Sequence, residues 1–307
     1  MNPSGPVPTL PSERPARLRI GIVSAGRVGA VLGAALQIAG HQVVAASAVS
    51  RASRRRAQTL LPGVALRGPD EIGPDVDLLL LAVPDDVLPG LVEGLVRAQA
   101  VRAGQFVVHT SGRYGIDVLT AATRTGALPL AVHPVMTFTG TSVDLDRLRG
   151  VCFGVTAPEQ LRAVAETLVL EMGGDPVWIA EADRVLYHAA IAHGANHLVA
   201  LVASSMQVLN SIGVGDPQRL LGPLLSAALD NALRFADAGL TGPVARGDAQ
   251  TLRAHLDALA QVAPETAAAY LAMARLTADR ALAAGLLPAE RAADLLGVLT
   301  EVREEGR

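Results

Sequence analysis

The sequence predicts a doubly wound α/β domain with a mostly parallel sheet, followed by an all-α domain. Three observations carry this. Apolar strand-like runs alternate with helical segments up to residue 180, and β signals then stop. The first strand runs straight into a small-residue turn, Ser24-Ala25-Gly26-Arg27-Val28-Gly29, that opens a helix. From Asp183 onward the apolar residues recur at helical spacing, in segments bounded by Pro, Gly and Asp.

Each element follows in order. Ile20 to Val23 reads as a buried strand, Ala30 to Ala39 as an apolar helix stopped by Gly40, and Gln42 to Val49 as a second strand. Val64 to Leu66 is a short third strand, and Asp75 to Pro84 a strong buried one whose Pro84-Asp85-Asp86 starts the next helix. Gln105 to His109 and Leu128 to His133 are strands that both end in histidine. Val151 to Val155, a helix from Pro158 to Met172 and Pro176 to Ile179 complete the first half. Then come helices over Asp183 to Ser211, Pro217 to Ala238, Asp248 to Ala263, Pro264 to Ala284 and Pro288 to Arg303. The domain reading is a disordered tail over 1–17, a nucleotide-binding domain over 18–180 and a helical substrate and dimerisation domain over 181–307.

A chain of 307 residues, 50% of them hydrophobic, can bury two cores. A net charge of −3 and 3% aromatic content offer neither a basic groove nor stacking platforms, so no nucleic-acid partner is expected. The single cysteine, Cys152, sits in a run read as a buried strand, and it cannot form an internal disulfide; a cytoplasmic setting fits. The first 17 residues carry five prolines and no apolar h-region, so export is not expected. Leu186 to Leu209 is apolar enough to suggest a membrane, yet it holds His188, His193, Asn196 and His197; the expectation is a buried helix between domains or subunits of a homodimer, with no membrane. All 26 basic residues are arginine, which excludes any mechanism built on a lysine amine.

The glycine turn carries the functional reading. A strand entering a helix through small residues leaves N–H groups where a pyrophosphate can sit. Only Gly26 and Gly29 of the G-x-G-x-x-G pattern stand, with Ser24 in the first place; Gly26 admits the phosphates and Gly29 lets helix and strand pack. About twenty residues on, where an NAD-selective site places an acid, stand Ser50, Arg51, Ser53 and Arg54, suited to a 2′-phosphate. NADP(H) is the expected cofactor, with Ala82, Val83 and Pro84 at the neighbouring strand end also in contact.

Hydride transfer needs a proton donor and polar groups that fix the substrate. His188 and Asn196 lie two turns apart on one helix and can share a side, and Ser111 follows a strand end; these are the catalytic candidates. His109, His133 and His193 are substrate-binding candidates. Arg246, in a Gly-Pro loop with Asp248, can present a guanidinium to a carboxylate, with His255 near it; an anionic small molecule is the expected substrate. His193 and His197 have a spacing that could share an ion, but no third ligand is specified, and no metal is expected. Asp248 could equally cap the following helix, with Arg246 paired at the surface.

Taken together, Ser24-Ala-Gly-Arg-Val-Gly29, Leu81-Ala-Val-Pro-Asp-Asp86, His109-Thr-Ser-Gly112, His133-Pro134, Tyr187-His-Ala-Ala190, Asn196 and Leu240-Thr-Gly-Pro243 through Arg246-Gly-Asp248 resemble bacterial proteins with a Rossmann-like domain followed by a domain of unknown function 2520. That family is similar in architecture to 6-phosphogluconate dehydrogenase, 3-hydroxyisobutyrate dehydrogenase, ketopantoate reductase and pyrroline-5-carboxylate reductase, and to oxidoreductases that pair NADP with coenzyme F420. The resemblance implies a Rossmann-type domain, a C-terminal domain like that of 6-phosphogluconate dehydrogenase, and a nicotinamide-dependent reductase with its site between the domains. Hydroxyacid dehydrogenases of this group place a Lys four residues before the Asn; here Asn196 matches, but the Lys position is Ala192. The expectation is therefore that His188 or His193 supplies the proton to a small anionic keto acid of ketopantoate type. Imine reduction, hydride exchange with F420, or a sensor that binds nucleotide without turnover are the alternatives.

Overall fold

The computed structural model describes residues 17–304. Residues 1–16 of the expected tail lie outside the described residues; Arg17 is described, and its guanidinium pairs with Glu171 at 2.9 Å. The described chain divides into two compact units, one ending at His193 and the other beginning at Gly194. The division falls inside one continuous helix.

The first unit is an eight-stranded sheet. Its strands are β1 (Arg19–Val23), β2 (Gln42–Ala46), β3 (Ala65–Leu66), β4 (Leu78–Leu81), β5 (Phe106–His109), β6 (Leu128–Pro134), β7 (Cys152–Thr156) and β8 (Asp175–Trp178), in the order β3-β2-β1-β4-β5-β6-β7-β8. Neighbours are parallel except β6 and β7, which run antiparallel with His133 opposite Gly154. The doubly wound, mostly parallel sheet expected from the sequence is present. Alternation along the strands sends Ile20, Ile22, Leu78, Leu80, Leu130 and Val132 to one face, where α1 (Arg27–Ile38) and α7 (Arg162–Glu171) cover them. Leu79, Leu81 and Val107 face the other way, under α4 (Leu88–Arg97) and α5 (Thr120–Thr123). The shorter helices α2 (Arg51–Leu60), α3 (Pro69–Ile72) and α6 (Val143–Arg147) fill the remaining connections.

One burial expectation is overturned. Cys152 is exposed, because β7 begins with it at the sheet's rim and only from Phe153 inward is the strand covered. Helix α8 (Arg184–Ser211) keeps its expected length, but only Arg184 of it is buried, and the apolar stretch within Glu181–Ser211 has none of its residues covered. That stretch is long and apolar enough to cross a membrane by length and composition. Val185, Leu186, Val199 and Leu201 are all exposed.

The physical reason lies in the second unit. Its core is built by α10 (Ala249–Val262), α11 (Pro264–Ala283) and α12 (Ala289–Glu304) around Leu252, Leu256, Ala278, Leu295 and Leu299. This core closes on itself. Neither α8 nor α9 (Pro217–Phe235) contributes a buried residue to it, and Leu224, Leu233 and Phe235 of α9 also stay exposed.

Candidate functional site

The turn after β1 is held in an unusual conformation. Ser24, in the place of the first glycine, has φ +77°, a region that non-glycine residues enter at a cost of about 1 kcal/mol or more. Ser47 offsets this: its Oγ accepts the Ser24 N–H at 2.8 Å, its carbonyl accepts the Ala25 N–H at 2.7 Å, and its own N–H returns to Ile22. Sequence reading missed Ser47, which is buried at the end of β2. Gly26 stands at the N-cap of α1 with no side-chain cap, and the first turn contains no acid, so no side chain satisfies the first N–H groups of this helix. Gly29 has no room for a side chain; a Cβ there would lie 2.2 Å from the Ser24 carbonyl and 2.9 Å from Ala82 Cβ. The Ala82 N–H bonds to the Val23 carbonyl at 3.0 Å, which sets Ala82, Val83 and Pro84 beside the turn.

On the other flank Ser50 caps α2, its Oγ accepting the Ser53 N–H at 3.0 Å. Its hydroxyl is therefore already engaged, while Arg51 at the first helical position is exposed and Arg54 donates to the Ala48 carbonyl at 3.3 Å. Helix α2 carries four arginines and no acid. An uncapped helix start beside a cationic one fits a phosphorylated dinucleotide in charge and in donor groups.

The second cluster gathers at the carboxyl ends of β5 and β6. His109 is fully buried; Ser111 N–H donates to its Nδ1 at 3.2 Å, which leaves Nε2 as the protonated nitrogen, donating to the Gly115 carbonyl at 2.8 Å. Burial holds its pKa down to about 4. With both nitrogens bonded to backbone, this ring organises the loop after β5, an inward turn that its strand-end position does not reveal. Ser111 Oγ accepts the Tyr114 N–H at 3.2 Å in the same loop.

His133 shares a 2.8 Å hydrogen bond between Nδ1 and the Tyr187 hydroxyl, and its ring lies 5.9 Å from that of His188, edge to face. Burial, then His188 and Arg184, lower the His133 pKa to about 4, so it is neutral at pH 7; burial raises that of Tyr187, which keeps its proton. Two glycines make the cluster possible. A Cβ on Gly112 would lie 2.7 Å from His188 and 3.0 Å from His133, and one on Gly154 would lie 2.3 Å from the Tyr187 oxygen.

Arg184 fixes this arrangement and was invisible in the sequence. At 1% exposure it donates from Nε to Thr156 Oγ1 at 2.7 Å and from Nη2 to the carbonyls of Gly154 (3.1 Å) and Ala131 (3.2 Å), pinning the first turn of α8 to β6 and β7. Tyr187 and His188, three and four residues on, are thereby set over the sheet end. Glu181 assists, its carboxylate accepting the Ile116 N–H at 2.7 Å from the loop after β5.

His193 and Asn196 are exposed on α8. In the second unit Asp248 caps α10 through Thr251, with N–H to Oδ1 at 3.0 Å, and Arg246 is exposed in an open hollow of about 880 Å³ with Arg253, Arg291 and Asp294. His255 is tied to Tyr270, Nδ1 to hydroxyl 2.9 Å.

Sheet order, uncapped turn and helical second unit define a Rossmann-type α/β protein with an appended helical domain. Residues 5–134 match the Rossmann-like domain family and residues 151–277 match the family described as domain of unknown function 2520. The chain thus carries both of these domains in the order its motifs suggest. No curated protein matches it. Among solved structures it is similar to a candidate NADP oxidoreductase from Bacteroides fragilis (20% identity over 86% of this chain and 98% of that one, TM-score 0.74). An imine reductase from Pseudomonas sp. shares 19% identity (88% and 96% covered, TM-score 0.61), and a reductive aminase from Aspergillus terreus in complex with NADPH shares 19% (95% and 96%, TM-score 0.58).

Proposed function

We propose that the chain is an NADP(H)-dependent oxidoreductase that reduces a C=O or C=N bond in a small anionic substrate. The observation that carries this is the uncapped start of α1 beneath Ser24 to Gly26, flanked by the acid-free, arginine-rich α2. The N–H groups of the α1 start would hold the diphosphate, Arg51 and Arg54 the 2′-phosphate, and Ala82 to Pro84 would line the way toward the cluster of His133, Tyr187 and His188. The nicotinamide, when bound, supplies the hydride. His188 delivers the proton, and the neutral His133 holds Tyr187 and packs on His188. A keto acid of ketopantoate type is the first substrate reading, supported by the cluster of histidines at the ends of β5 and β6. Reduction of a cyclic imine carboxylate is the second, favoured by the imine-reducing proteins of similar fold.

The test is NADPH oxidation with a panel of keto acids and cyclic imines, in wild type and His188→Ala. Turnover on one class assigns it, with His188→Ala lowering kcat by about 10²-fold or more, the usual share of a proton donor. Full turnover in His188→Ala removes that residue from its role. Binding without turnover across the panel makes the protein a nucleotide sensor instead.

Cofactor choice has a separate readout. Arg51→Glu will weaken NADPH by about 10- to 100-fold, the scale of a charged hydrogen bond, and NADH far less. Equal weakening of both in a titration would take Arg51 off the 2′-phosphate. The exposed apolar residues of α8 are covered, on this reading, by the same helix of a second copy; light scattering after gel filtration should give a dimer mass.

A further inference from the structure

We propose that Arg56 is a second phosphate contact, closing on the diphosphate of the dinucleotide, and that the loop after β6 serves to aim it. This rests on the nucleotide reading above. Arg56 lies five residues after Arg51 on α2, which turns it about 140° away from that residue, back toward the turn between β1 and α1. It is half-buried, and its Nη1 sits 3.5 Å from the Ala25 carbonyl, at the centre of that turn.

The loop packs on it from outside. Gly140 has φ +78°, and a Cβ there would fall 2.4 Å from Arg56 Nε and 2.9 Å from Arg27 Cγ, so both arginines lie across this one residue. The loop is held rigidly: Asp144, fully buried, accepts the Gly140 N–H at 2.7 Å and the Thr139 hydroxyl at 2.9 Å. Those bonds and Arg147 at 3.9 Å occupy the nearby carboxylate. Among the described residues, neither Arg27 nor Arg56 has a carboxylate partner.

Two cations are therefore packed together next to the positive end of α1, and neither is paired to a carboxylate among the described residues. Two guanidinium groups without carboxylate partners favour an anion at the turn, and a planar guanidinium reaching Ala25 meets a diphosphate there rather than a 2′-phosphate at the start of α2.

The experiment is calorimetric titration of NADPH, NADH and adenosine 2′-monophosphate into wild type, Arg56→Ala and Gly140→Ala, with thermal melts to confirm folding. Wild-type binding establishes the nucleotide site independently of Arg56. Arg56→Ala should weaken NADPH and NADH alike by about tenfold and leave the 2′-monophosphate, which has no diphosphate, within twofold. Gly140→Ala keeps every charge but displaces Arg56, and should give the same pattern. Unchanged NADH affinity in a folded Arg56→Ala overturns the proposal, as does a loss confined to the 2′-phosphorylated ligands. If the wild type binds no nucleotide, the nucleotide reading fails and takes the proposal with it.

Discussion

Gly29→Val will destabilise the first unit by about 3 kcal/mol or more and abolish nucleotide binding. The first obstacle is backbone, since any Cβ at this position meets the Ser24 carbonyl at 2.2 Å. Flexible side chains can swing away; a carbonyl whose own residue is locked at φ +77° cannot. The second obstacle is side-chain, with Ala82 Cβ just after β4 at 2.9 Å and Ile22 Cγ2 of β1 at 3.3 Å. Valine adds two methyls to that clash, so α1 must lift off the sheet and carry its N–H groups away from where the proposed diphosphate would sit. Urea unfolding gives the loss directly. A control is Gly94→Ala on α4, where nothing lies within 4 Å of the added Cβ; relief of backbone entropy should leave it as stable or slightly more so. A Gly29→Val protein with the wild-type midpoint would mean that α1 does not pack on β1 as described.

Acidification will weaken the same unit before most carboxylates titrate. His109 and His133 have pKa values near 4 in the folded protein against 6.5 in an unfolded chain, the shift in each led by burial. The unfolded chain then binds protons between pH 6.5 and 4 that the folded one refuses, so stability falls as pH is lowered through that window and levels below it. Each shift corresponds to about 3 kcal/mol at its limit. Midpoints in urea at pH 7, 6, 5 and 4 should drop steeply, and His133→Gln should flatten part of the slope. A midpoint independent of pH over this range would mean that the two rings are accessible to protons, contrary to their burial.

The strands were legible because each is a short apolar run closed by a turn residue, and a parallel sheet covered on both faces demands that pattern. Helix limits followed from Asp248, Pro217 and Pro264 for the same local reason. The turn between β1 and α1 could be read despite Ser24, since its conformation does not need a glycine there when Ser47 supplies the bonds that hold it. Arg184, Glu181 and Arg56 were not legible. Their roles depend on strands and loops far away in sequence, and a charged residue at the start of an apolar helix looks the same whether it is solvated or sealed. Tyr187 stood in plain view beside His188, yet nothing local ties a tyrosine to a histidine 54 residues earlier. His109 shows the converse: its place at a strand end was clear, and its inward turn was not. Helix α8 was read as covered because it is apolar all round, but the pattern of a helix says only that something must cover it.

The reversal of β7 against β6 has a practical consequence. Because β7 starts at the edge where β6 finishes, the chain's one thiol, on Cys152, emerges at the sheet edge that carries His133, and its carbonyl accepts the Val135 N–H at 2.9 Å. A maleimide dye attached to the unmodified protein would therefore sit in a single known place, and its emission would report changes at that rim in real time without any engineered mutation.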